Sequence, residues 1–243
     1  MMEDIAPALI EQVNKAFKAE YSTSKKIKRL LERIKSADAN YVDANAYAEE
    51  VGDILKRAFE KFVSSDALPD GKMYYNIADR LLRETLGNNY KLIADASETV
   101  QTALNRASNI GMKAIRPEME EDRLKNLIDR ISNEEYYDDI RRMIEEALVN
   151  YSQSVVDDSI RANVEKQYQA GLKPILTRKA AGGCCEWCQK MAGTWDYEEL
   201  KQTWDYYEVF RRHDACRCTI VYDPGDGKKE FVYGGQKTFD SFF

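Results

Sequence analysis

The sequence predicts a mainly α-helical protein: a helical N-terminal region, residues 1–171, followed by a small α+β C-terminal module, residues 172–243. Three observations carry that prediction. Up to Gly171 the apolar residues recur at helical spacing almost without interruption. At Gly171 and Pro174 a helix-stopping glycine is followed by a residue that cannot continue a helix, and short β-branched runs begin. All five cysteines and the single histidine then fall inside the 35-residue window 184–218.

The helices follow in order. Ile5, Leu9, Ile10, Val13, Ala16 and Phe17 form one stripe, and Ile27, Leu30, Leu31 and Ile34 a second. Tyr47, Val51, Ile54, Leu55, Ala58, Phe59 and Phe62 form a third, closed by the turn-rich connector 64–71. Further stripes run through Ile77, Ala78, Leu81 and Leu82, and through Ile93, Ala96, Val100, Ala103, Leu104 and Ala107, with Gly87-Asn88-Asn89 read as the break between them. After Pro117 come Leu124, Leu127, Ile128 and Ile131. Ser132 with Glu135 has the pattern of a capping box, which would open a long helix along Ile140, Ile144, Ala147, Leu148, Tyr151 and Val155, running towards Tyr168. Each stripe is first of all core.

Beyond Pro174, Ile175-Leu176-Thr177 and Thr219-Ile220-Val221-Tyr222 read as strands, and Glu230-Phe231-Val232-Tyr233 as a third that pairs with the second in a hairpin. The cysteines between them are spaced as Cys185-x2-Cys188, then His213-x2-Cys216-x-Cys218. A Cys-x2-Cys turn brings two thiolates to one ion, and a second short cluster completes the tetrahedral shell that structural Zn²⁺ prefers. The odd cysteine count and a reducing compartment weigh against disulfides. Cys185, Cys188, His213 and Cys216 are the favoured ligands. Cys218 is the substitute, because strand alternation would place it opposite Cys216 unless a tight turn brings both inward. Four thiolates, with His213 outside the shell, is the alternative. The module has few apolar residues of its own, so an ion contributing about 10–16 kcal/mol of apparent binding free energy would replace a core.

Composition excludes other classes. A net charge of −6 disfavours nucleic-acid binding by the bare surface. Residues 171–243 hold 11 basic and 11 acidic side chains, so the excess of acid lies in the helical part. No apolar run is long enough to span a membrane, and Met1 to Ala19 lacks the pattern of a signal peptide, so synthesis in the cytoplasm is expected.

The segment Leu176-Thr-Arg-Lys-Ala-Ala-Gly-Gly-Cys-Cys-Glu-Trp-Cys-Gln-Lys-Met-Ala-Gly193, joined to Arg212-His-Asp-Ala-Cys-Arg-Cys-Thr219, resembles the C-terminal signature of the phage head morphogenesis family, the minor head proteins related to the F protein of phage Mu. The match falls on Cys185, Cys188, Gly193, His213, Cys216, Arg217 and Cys218. Many members carry proline before the histidine, where this chain has Arg212. The resemblance implies a minor capsid component in the virion, bound at the portal among other head proteins after assembly in the host cytoplasm. Its roles would be head assembly, DNA packaging or ejection, with packaged DNA as a candidate contact. Some members extend into toxin domains; the 25 residues after Cys218 are too few for one. A cytoplasmic zinc-bearing adaptor or toxin-like protein of prophage origin is the alternative.

Catalysis is not expected. The H-x-E and P-C-x-x-C patterns of zinc deaminases do not occur, and one histidine cannot serve both as ligand and as catalytic base. Glu186 and Asp214 read as solvated charges. Two features outside the zinc pattern remain. Trp195, Tyr197, Trp204, Tyr206 and Tyr207 lie between the ligand clusters, as aromatic packing over the metal turn or, less favoured, as a docking surface. Lys25, Lys26, Lys28, Arg29, Arg33 and Lys35 make a basic helix face, ordinarily a solvated one but able to touch phosphates.

Overall fold

The structure is a computed structural model, and it describes residues 4–203 and 205–225. The expected strand at 230–233, the hairpin it would complete, and Trp204 lie outside the described residues.

Six long helices precede a small sheet. α1 (Ala6–Thr23) buries Leu9, Val13 and Phe17. α2 (Lys25–Ile34) starts where the Ser24 hydroxyl accepts from the Ile27 amide. α3 (Tyr41–Phe62) begins six residues ahead of the stripe at Tyr47, because Asn40 and Asp43 form a reciprocal capping box. α4 (Tyr75–Ala107) corrects the expected break at Gly87-Asn88-Asn89. Glycine inside a helix costs about 1 kcal/mol, less than the burial of Leu81, Leu82, Leu86 and Ile93 on either side contributes. Asn89 is itself buried, its amide donating to Ser152 Oγ.

α5 (Glu121–Asn133) contains Ser132, whose hydroxyl donates to the Asp129 carbonyl, so the expected capping box does not form. α6 (Tyr137–Gln169) starts without a side-chain cap but carries Asp138 and Asp139 in its first turn, where the helix dipole favours acid. It spans about 50 Å at 1.5 Å per residue and is buried on most of its faces, including Asn150, Ser152, Gln153, Asp157, Asn163 and Gln167. Each makes at least one hydrogen bond, Asn163 bracketing both the amide and the carbonyl of Ile115 and Gln167 donating to Asn105, although the side-chain oxygens of Gln153 and Gln167 have no partner among the described residues. The helix ends at Gly171, φ +90°, with Gly171 N–H on the Tyr168 carbonyl and Leu172 N–H on that of Gln167. This double bond is the Schellman stop.

The sheet is antiparallel, in the order β2 (Gly193–Asp196), β1 (Ile175–Lys179), β3 (Thr219–Asp223). Leu176 of β1 faces Tyr222 of β3, and Arg178 faces Ile220; all four are buried. Short helices α7 (Glu186–Lys190), α8 (Tyr197–Lys201) and α9 (Asp205–Val209) fill the connections. One hydrophobic cluster runs from α1 through α6 and on into Leu176, Tyr197, Leu200, Val209, Phe210, Ile220, Val221 and Tyr222. α6 ends at Gln169, and the core continues past it into the sheet. A separate small cluster holds Cys188, Cys216 and Cys218, with Ala180, Cys184 and Trp187 against it.

Candidate metal centre

Two turns build the centre. Cys185 is the residue before α7, and its carbonyl accepts from the Gln189 amide. One helical turn then returns Cys188 to the same side, three residues on. The second turn is His213-Asp214-Ala215-Cys216: the Cys216 amide donates to the His213 carbonyl at 3.1 Å, and Ala215 takes φ 60° to close it. The Asn150 amide of α6 also donates to that carbonyl, at 2.7 Å.

His213 Nδ1–H donates to the Asp214 carbonyl at 2.5 Å, which leaves Nε2 as the lone-pair nitrogen. Nε2 lies 3.3 Å from Cys185 Sγ and 2.9 Å from Cys188 Sγ. Cys188 Sγ lies 3.8 Å from Cys216 Sγ. The donor atoms of Cys185, Cys188 and His213 lie within 4.8 Å of one another, and so do those of Cys188, Cys216 and Cys218. All five sequence-predicted residues therefore converge, with Cys188 common to both groups; Cys184 belongs to neither. Cys216 and Cys218 precede β3 instead of lying on it, so strand alternation does not separate them and both point inward.

The arrangement can hold a metal ion. A tetrahedron of metal–sulfur bonds of about 2.3 Å has sulfur–sulfur edges of about 3.8 Å, the separation of Cys188 and Cys216. Burial pushes the Cys188 thiol up to about 11. The hydrogen bond between Cys216 and Cys218 raises the first to about 12, with burial adding to it, and lowers the second to about 7. These are the protonations of a metal-free thiol pair; a bound cation would displace the protons.

Around the sulfurs stand groups that spacing alone did not single out. Trp187 packs edge-on against His213, ring centres 5.6 Å apart. Arg178, from β1, donates to Cys216 Sγ at 3.6 Å. Arg212 pairs with Asp157 of α6, side chains 5% and 2% exposed, and Arg217 reaches Glu146 and Glu49. Arg212 and Arg217, beside His213 and Cys216, were visible in the sequence; their acidic partners on α3 and α6 were not. Asp214 pairs with Arg130 of α5 at 3.2 Å, and Glu186 is exposed.

Tyr197 and Tyr206, among the described members of the aromatic group, pack elsewhere than expected. Buried Tyr197 lies edge-on to Tyr168 at the end of α6 and donates to Glu165, with Tyr206 beside it. The residue over the metal turn is Trp187, and Tyr207 stands 75% exposed. On the basic face, Lys26 pairs with Glu50, and Arg33 with Asp38 and Asp43. Lys25, Lys28, Arg29 and Lys35 are exposed, with no ion pair among the described residues.

Fold and site define a mainly helical protein that carries a Cys/His centre capable of holding a metal beside a small antiparallel sheet. The family model of the VG15 protein matches residues 33–242, and the chain belongs to that family of phage proteins. No curated protein and no solved structure matches it. Among the described residues no helix is long and apolar enough to cross a membrane.

Proposed function

We propose that this chain is a minor head protein of a tailed phage, built into the virion at the portal, and that its centre holds one structural Zn²⁺. The observation that carries the reading is the convergence in space of Cys185-x2-Cys188 with His213-x2-Cys216-Arg217-Cys218, the residues that resemble the head morphogenesis signature, in a chain of a phage family. Cys185, Cys188, His213 and Cys216 would supply the four positions, with Cys218 as the substitute thiol. The ion would supply a cross-link between the two turns and no reaction. Five protein donors compete for four positions, and of the two carboxylates adjacent to a ligand in sequence Asp214 pairs with Arg130 and Glu186 is exposed. Portal and other head proteins are the partners of this reading, met in the host cytoplasm during assembly. The unpaired cations of α2 are its candidate contact with packaged DNA.

The test is co-expression with the portal protein, followed by recovery of the complex and of particles, with zinc measured in both. Wild-type protein and Cys184→Ser should bind portal, enter particles and carry one equivalent of zinc; Cys188→Ser should lose the metal and enter poorly. A wild-type chain that carries zinc yet ignores portal would defeat the head reading. Absence of zinc, with Cys185 and Cys188 in a disulfide, would defeat the centre.

A further inference from the structure

Arg178 is 2% exposed on the inward face of β1. One branch of its guanidinium, Nη1, donates to the carbonyl oxygens of Val209 at 2.6 Å, Arg211 at 2.8 Å and Glu208 at 3.3 Å, all at or just beyond the C-terminal end of α9. The other, Nη2, donates to Cys216 Sγ at 3.6 Å. The guanidinium carbon sits 5.0 Å from the centre of the Trp187 ring. Among the described residues Arg178 has no carboxylate partner, whereas Arg212, buried close by, is held by both oxygens of Asp157.

A buried charge without a counter-charge is costly, and the carbonyl dipoles that accept from Nη1 do not neutralise it, while Nε has no hydrogen-bond partner among the described residues. The group within hydrogen-bonding reach of Arg178 that can carry a negative charge is the sulfur of Cys216. Three thiolates and a neutral imidazole around a divalent cation leave one net negative charge, which one guanidinium offsets; four thiolates would leave two. We infer that Arg178 is the counter-charge and positioning residue of the metal centre, holding Cys216 Sγ as a ligand while its other branch fastens the 208–211 segment to the centre. The inference rests on the metal reading above and deepens it. It assigns Cys216, the thiol that Arg178 touches, as the fourth ligand.

The experiment measures Zn²⁺ affinity by competition with a chromophoric chelator, and the sulfur-to-metal absorption of the Co²⁺-substituted protein, in wild type, Arg178→Gln and Arg178→Lys. Loss of such an outer partner weakens metal binding about 10–100-fold. Arg178→Gln should show that loss and move the Co²⁺ band to lower energy, because the thiolate no longer shares charge with an N–H donor. Arg178→Lys keeps the charge and should recover most of the affinity. Having no fork, it should still leave 208–211 more open to protease than wild type does. Wild-type affinity and an unshifted band in Arg178→Gln would overturn the inference, as would Arg178→Lys binding as weakly as Arg178→Gln. If Arg178→Gln does not fold, Arg178→Lys decides alone: near-wild-type affinity together with a 208–211 segment more open to protease supports the inference, and a tenfold loss of affinity or wild-type protease resistance overturns it. A wild-type chain that takes up neither metal defeats the underlying metal reading, a result separate from all of these.

Discussion

Replacing Gly52 with Ala probes the closest approach in the helical scaffold. An added Cβ would lie 2.8 Å from the Val149 Cα and 3.1 Å from both Cβ and Oγ of Ser152 on α6. Non-bonded carbons rest at about 3.5–4.0 Å, so α3 and α6 must part by about 0.7 Å or more, and a backbone atom cannot swing aside. Alanine returns about 1 kcal/mol of helix propensity, against an overpacking cost of about 1–3 kcal/mol. Ser152 also accepts from Asn89 and donates to the Leu148 carbonyl; loosening either buried bond costs about 1 kcal/mol more. The net expectation is a loss of about 1–3 kcal/mol, or about 2–12 °C in Tm for a chain of this size. Thermal and urea unfolding of metal-saturated protein measure it. The control is Gly87→Ala on α4, where no atom lies within 4 Å of the new Cβ; there the same substitution should stabilise by up to about 1 kcal/mol. If both variants were stabilised alike, the close seam between α3 and α6 would be refuted. Because Asn150 on the same stretch of α6 holds the His213 carbonyl, Gly52→Ala should also weaken metal binding measurably, while Gly87→Ala should not.

Two further outcomes are expected. Chelation should expose the chain around α7 to trypsin, with cleavage after Lys190, while the far-UV helical signal changes little; loss of most helix on chelation would mean that the ion supports the main core. Asp157→Asn should destabilise by about 3–5 kcal/mol, since it leaves Arg212 buried without a counter-charge, whereas replacing both partners with apolar residues of similar size should cost far less. Urea unfolding of the single and double variants separates these, and a single-variant loss below about 1 kcal/mol would show the pair to be solvated.

The helical stripes were legible because α1 to α5 turn apolar residues inward at a regular period, and the ligand cluster was legible because metal turns impose short fixed spacings. What sequence could not show has a common cause. Gly87 looked like a break because glycine punctuates helices, but the apolar residues on both sides keep their phase through it. Ser132 looked like a cap, yet it falls inside α5, where its hydroxyl bonds back to its own helix. The first strand was read as the β-branched run Ile175–Thr177, whereas β1 continues through Arg178 to Lys179, and β2, Gly193–Asp196, carries no such run. Arg178 is inward because its partners, three carbonyls and a sulfur, come from residues 208–216. Polar partners supplied from a distance leave no periodic trace.

The same long-range pairing explains why the two halves of the centre are held so differently. The second half is fastened to the helices at each flank: Arg212 to Asp157 and Asn45, the His213 carbonyl to Asn150, Arg217 to Glu146 and Glu49, and Thr219 to Asn45. Its conformation is thus dictated by α3 and α6. The first half lies on α7, in the loop between β1 and β2, and among the described residues no hydrogen bond or ion pair joins α7 to the six long helices. Its polar ties across the gap run through Cys185 and Cys188 to His213 and Cys216. Hydrogen bonds between neutral thiols and an imidazole contribute about 1 kcal/mol each at most, so without an ion α7 is the weaker side. A cation at the five donors would therefore act in one direction, drawing α7 onto a turn that the helical scaffold already holds in place.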